Sequence, residues 1–97
     1  MLTMFSTLAS ADATTPPLTI KSIGTGWTPN ALFIETNEGT KVEGCSSATI
    51  RIDLNNAMID HILSIALSAY HTSSKVEFRV KGCNGNLMNA TSIAIIK

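Results

Sequence analysis

Apolar residues recur with two different periods along this chain, and the switches between them mark out strands and a single helix. Leu18 and Ile20 alternate with Thr19 and Lys21, and the alternation then slips at Ser22-Ile23-Gly24, as it does at a bulge or bend in a strand. Ala31 to Thr36 (ALFIET) reads as a second strand between the turns Trp27-Thr28-Pro29-Asn30 and Asn37-Glu38-Gly39-Thr40. The third strand has Ile50, Ile52 and Leu54 on one face and Thr49, Arg51 and Asp53 on the other. From Asn56 to His71 the period lengthens to that of a helix, whose apolar residues leave only Asp60, His61, Ser64 and Ser68 as a narrow polar stripe. Asp53, Asn55 and Asn56 can cap its start, and Thr72, Ser73 and Ser74 mark its end without a glycine. Period two then returns with Val76, Phe78 and Val80 set against Lys75, Glu77, Arg79 and Lys81. Gly82-Cys83-Asn84-Gly85-Asn86 turns the chain, and Thr91 to Ile96 forms the last strand.

Three strands, a helix and two further strands, with the first strand bent, predict a mainly β domain. The order is that of a five-stranded OB-type Greek-key barrel with one helix between strands three and four, and other small α+β domains share it. The helix is apolar over most of its girth, whereas an ordinary surface helix buries an arc of about 100 degrees. It is therefore predicted to be covered from more than one direction. The second cover is either the chain's own Thr14 to Lys21 segment or a neighbouring subunit. In the latter case the protein is a homo-oligomer with Ile59, Ile62, Leu63, Ile65 and Leu67 at the interface.

A chain of 97 residues forms one small domain whose core is marginal without a staple or a partner. Cys45 and Cys83 flank the helix, and a disulfide between them would contribute about 4 kcal/mol in the chain-entropy model. Two buried free thiols are the alternative. Met1 to Leu8 is apolar and is followed by the small-x-small patterns Ala9-Ser10-Ala11 and Ala11-Asp12-Ala13, although no Lys or Arg precedes Lys21. Residues 1–13 are accordingly expected to be a truncated or atypical signal segment, with the mature protein starting after Ala11 or Ala13 and located in the periplasm or outside the cell. A frayed terminus is the plainer reading. Ala13-Thr14-Thr15-Pro16-Pro17 has the composition of a linker, and 14–97 is read as the single domain. The net charge is zero and the seven basic residues are scattered, so no nucleic-acid partner is expected. Apolar runs fall short of a spanning helix, so no membrane insertion is expected either.

No catalytic or metal-binding constellation emerges. Asp60, His61 and Ser64 match the residue types of a hydrolytic triad, but adjacent side chains on a helix diverge by about 100 degrees, which prevents one base from reaching both partners. His61 and His71 lack further ligands for a metal, and no cofactor is expected. Gly24-Thr25-Gly26 is too short for a phosphate loop. Trp27 is the sole tryptophan, and it sits among Thr25, Thr28 and Asn30, which suits the apolar face and hydroxyl rim of a sugar. It can equally cover the end of the barrel or an interface. Glu35, Asn37 and Glu38 lie near the end of the second strand, where they can hydrogen-bond a ligand or serve simply as turn residues. The candidate ligand surface is Thr25, Trp27, Thr28, Glu35 and Asn37. Asn89-Ala90-Thr91 matches the glycosylation acceptor pattern, which often occurs by chance.

The stretch from Ile23-Gly24-Thr25-Gly26-Trp27 through Ala31-Leu32-Phe33-Ile34-Glu35-Thr36, the helix ending Ala69-Tyr70, and Lys75-Val76-Glu77-Phe78-Arg79-Val80 together resemble the B subunits of the subtilase-cytotoxin and typhoid-toxin group. The order cysteine, strand, alanine-rich helix, strand, cysteine is also similar to that of many small secreted bacterial proteins. The resemblance spans Leu18 to Lys97, with Ser73-Ser74 standing where such proteins usually carry glycine. It implies an OB barrel, assembly into a pentameric ring, glycan binding on the outer face of the barrel and a toxin-like A subunit as partner. The expectation is a secreted, non-enzymatic, carbohydrate-binding module of B-subunit type. The alternative is a periplasmic or secreted interaction, assembly or inhibitor protein that uses the same barrel.

Overall fold

A computed structural model describes residues 12–26 and 30–96. They form β1 (Asp12–Thr14), β2 (Leu18–Thr25), β3 (Ala31–Thr36), β4 (Ile50–Asp53), α1 (Ile59–Thr72), β5 (Lys75–Asn84) and β6 (Leu87–Ile96). One mainly β sheet runs in the order β1-β5-β2-β3-β4-β6, and a further pairing of β6 with β5 brings it back on itself. Every pairing is antiparallel except that of β4 with β6. β2, β3, β4, β6 and β5 thus make a closed circuit, and β1 stands outside it on β5.

The helix follows the fourth strand, not the third as expected, because a short strand precedes those legible in the periodicity. Ala13 and Thr14, expected to end a leader and open a linker, pair instead with Val80 and Arg79. The Pro16-Pro17 step has no N–H to offer a ladder, and Thr15 compensates. Its backbone N–H donates to Phe78 O at 2.9 Å, while its Oγ1 accepts the Phe78 N–H at 3.0 Å. Thr15 is buried, so the proline-rich stretch is docked on the sheet and is not a free linker. The remainder of the expected leader lies outside the described residues.

Inward-facing residues of the strands build the core, with Leu18, Ile34, Ile50, Ile52, Val76, Phe78, Val80 and Met88 fully buried. Leu54, expected to continue the inward row of β4, is exposed because the strand stops at Asp53. There Asp53 Oδ1 accepts the Asn55 N–H at 2.9 Å and Asn56 Oδ1 accepts the Met58 N–H at 2.8 Å, which turns the chain into the helix. α1 therefore starts at Ile59, later than Asn56. It ends at Ser73, which takes the left-handed conformation (φ 56°) usual for glycine, and the Ser74 N–H donates to Ala69 O at 3.0 Å.

The helix lays Ile62, Ala66 and Ala69 into the core, with Ile59 and Leu63 packed at its edge. Of the five residues expected at a subunit interface, Ile62 is thus already buried within its own chain. Ile65 is half-buried, and Leu67 is exposed, as are Met58 and Tyr70. The stripe of Asp60, His61, Ser64 and Ser68 faces outward.

β5 and β6 are longer than expected. Gly82 (φ 70°) takes up a register shift between Val80 and Cys83, so the strand continues through it. The reversal contracts to Gly85-Asn86, with the positive φ at Gly85 that a tight hairpin requires. This brings Cys83 beside Cys45, and the two form a disulfide with a Cα–Cα distance of 5.6 Å.

Candidate ligand cleft on the outer face

The bulge between Ile20 and Ser22 sets the register of β2 on β3, placing Ser22 opposite Glu35 and Gly24 opposite Phe33. Phe33 in turn stands opposite Arg51, and Arg51 beside Asn89. Because side chains alternate across a strand, these residues face away from the core while Leu32, Ile34, Ile50, Ile52 and Met88 face into it. Thr49 and Leu87 extend the outward rows at the start of β4 and β6. Together they border an open cleft of about 490 Å³ lined by Ser22, Ile23, Gly24, Phe33, Glu35, Thr49 and Leu87. Gly24, opposite Phe33, adds only backbone to this lining, whose apolar side chains are Ile23, Phe33 and Leu87.

The rim is polar. Ser22 Oγ donates to Glu35 Oε1 at 3.0 Å, and no other protein group donates to the second carboxylate oxygen among the described residues. Glu35 and Thr49 also line an adjoining pocket of about 150 Å³ completed by Lys21, Thr36 and Ala48. Both hollows lie beside the connection 37–49 from β3 to β4.

That connection is held along its length. The Asn37 N–H donates to Thr19 O at 3.0 Å, and the Glu38 carboxylate accepts from Thr19 N–H at 2.8 Å and Thr19 Oγ1 at 2.6 Å. Lys75 Nζ lies 3.7 Å from the same carboxylate. These hydrogen bonds from Thr19, with a smaller contribution from Lys75, hold the Glu38 carboxyl below its ordinary titration range. Val42 packs on the core, Cys45 is tied to Cys83, and the Ser47 N–H donates to Asn86 O at 2.9 Å.

Of the residues expected to bind a ligand, Glu35 lines both hollows. Thr25 is exposed, and its Oγ1 donates to Ala31 O at 2.8 Å across the β2–β3 connection; Asn37 is exposed on its loop, and neither lines the cleft. Trp27 and Thr28 lie outside the described residues. Ser22, Phe33, Thr49 and Leu87 were not singled out, although the alternation of ALFIET places Phe33 on the same face as Glu35. Asn89 is half-buried, and its amide donates to Lys81 O at 3.4 Å. Among the described residues no three His, Cys, Asp or Glu converge as metal ligands. Within the same residues no helix is long and apolar enough to cross a membrane. No protein-family model matches the chain, and no curated protein matches it.

Proposed function

We propose that the protein is a secreted, non-enzymatic binding module that holds a cell-surface glycan in the cleft between Phe33 and Glu35. One observation carries this reading: an apolar floor and a hydroxyl-and-carboxylate rim meet in one concave site. A pyranose has the same division, with C–H groups on one face and hydroxyls around the edge, so its face can rest on the wall formed by Ile23, Phe33 and Leu87 while its hydroxyls donate to Glu35. The volume is within the range of about 300–1,000 Å³ usual for small-ligand sites.

The fold we propose is an OB-type barrel made by β2 to β6. Its support is the closed strand order and the parallel β4–β6 pairing. Export is supported by the Cys45–Cys83 disulfide, which persists in oxidising compartments. A ring of B-subunit type, with a toxin-like A subunit as partner, belongs to the same reading. Its support is the exposed flank of α1, where Leu67 and Tyr70 are each nearly half accessible. That flank also favours a second reading, an interaction or inhibitor protein that binds another protein through α1.

A glycan array probed with the native protein and with Phe33→Ala tests the choice. Binding by the native protein that falls at least about tenfold in the folded variant is expected, an amount matching one lost stacking contact. No binding to any glycan would remove this reading and leave the protein-interaction one.

A further inference from the structure

We infer that the open edge of β6 pairs with the same edge of a second copy, joining two sheets across a two-fold axis at Ala94; this is independent of what the cleft binds. The bonding of β5 shows which backbone groups are left over. Phe78 uses both its N–H and its C=O on Thr15, on the side of β5 away from β6. Backbone groups alternate in direction along a strand, so Ile93 and Ile95, which stand opposite Phe78 and Val76, point theirs away from β5. Ser92, Ala94 and Ile96 make the bonds to β5. On the far side of β6, β4 keeps company only as far as Asn89, and no other described strand follows it. Thr91 O, on that side, accepts from the Asn56 side-chain amide at 3.2 Å.

Native sheet edges are usually blunted by charge, proline or shortness. β1, at the other end of the strand order, is three residues long and begins with Asp12. β6 is ten residues long and carries neither a charge nor a proline from Leu87 to Ile96. Ser92, Ala94 and Ile95 are exposed on it. Unpaired N–H and C=O groups in a row are met by another extended strand.

The sequence around Ala94 suits a second copy. With Ala94 on the axis, Ile93 of one copy stands opposite Ile95 of the other and exchanges both N–H···O bonds with it, and the two-fold repeats the exchange. Directly opposed residues share a face, so these isoleucines lie on the core side with Phe78 and Val76. They form β-branched cross-strand pairs that cover Ile95, which is 42% accessible in the single chain. Ala94 meets its own copy on the outer face without crowding or like charge, and this register also keeps Lys97, the next charge in the sequence, from facing itself. Such a contact is isologous and therefore separate from a ring closed by heterologous contacts at Leu67.

Amide exchange of the native chain, followed by two-dimensional NMR between about 10 µM and 1 mM, is the direct test. Exchange at Ile93 and Ile95 should slow at least about fivefold as concentration rises, while Ser92 and Ala94, already bonded to β5, change little. Sedimentation of Leu67→Glu, which removes the helix flank from consideration, should still show a monomer–dimer equilibrium. Adding Ile95→Pro deletes an N–H that the β5 ladder does not use, and is expected to weaken that dimer at least about tenfold. Exchange at Ile93 and Ile95 that is indifferent to concentration overturns the inference, whether or not the proline variant folds. A Leu67→Glu chain that stays monomeric throughout, or a dimer that a folded Ile95→Pro leaves unchanged, overturns it as well.

Discussion

The outer-face cleft and the exposed flank of α1 both present apolar side chains to water, yet they are built differently. The flank is a plain consequence of helical period: Leu63, Leu67 and Tyr70 follow one another at spacings of four and three beside the buried Ile62, Ala66 and Ala69. The cleft depends on interruptions of period. A bulge brings Ser22 to Glu35, a glycine stands opposite Phe33, and a cross-linked connection stands at the side. The difference separates two kinds of recognition. A convex apolar row offers area without direction, which suits another protein surface. A concavity with oriented acceptors suits a small polar ligand, because its hydrogen bonds set the pose.

Removing the disulfide should give the largest effect, and it should fall on the cleft side. Cys45 and Cys83 are 38 residues apart, and opening a loop of that size costs about 4 kcal/mol in the chain-entropy model. That is a large share of the roughly 5–15 kcal/mol that stabilises a typical domain. The Cys45→Ser, Cys83→Ser double variant is expected to lose this amount in urea denaturation. Hydrogen exchange in residues 37–49 should rise before exchange in α1. A loss below about 1 kcal/mol, or helix amides that open first, would contradict the assignment of the staple to the cleft.

On the helix side, neighbouring positions should behave in opposite ways. Ile62 is 3% accessible and Leu67 43%. Truncating Ile62 to alanine leaves a cavity and should cost about 2–4 kcal/mol. Leu67→Glu should change the stability of the dilute subunit by only about 0.5 kcal/mol. Its effect is expected in assembly: light scattering should find an oligomer for the native protein and a smaller species for Leu67→Glu. A native protein that is monomeric at micromolar concentration excludes the ring.

Much of the fold was legible because burial and period agree. The strands at Ala31–Thr36 and Lys75–Val80, the slip at Ser22 and the helix all follow from spacing, and the disulfide from the small core and the leader-like start. β1 was not legible, since Ala13 to Pro17 reads as a linker until β5 is there to receive it. The length of β5 was hidden for a related reason, because glycine marks a turn and a bulge alike and only the partner strand separates them. The site was half legible. Glu35 stood out as a polar residue near a turn, but Phe33 reads as an ordinary strand residue. Thr49 and Leu87 reach the cleft only through the pairing of β4 with β6, which links segments far apart in sequence.

The smallest effect expected concerns the other end of the connection 37–49, where Glu38 ties the loop to Thr19. The folded carboxyl titrates below the ordinary range of a glutamate because the Thr19 hydroxyl and amide, and to a lesser degree Lys75, favour its charged form. A group with a depressed folded pKa stabilises the native state fully above its unfolded pKa of about 4.3, and the stabilisation is lost as pH falls through the folded value. Acid should therefore loosen the first turn of the connection, while the disulfide, which does not titrate, keeps Cys45 on Cys83. Glu38 is exposed enough that solvent screens most of the effect, so global stability should change little. The amide signal of Thr19 is the direct reporter. In a two-dimensional NMR titration it should move with a midpoint below the ordinary glutamate value, and Glu38→Gln should abolish that movement while the signals of α1 stay in place. A Thr19 midpoint at or above the ordinary value would mean that the carboxylate is not held there, and that the disulfide end alone keeps the connection beside the cleft.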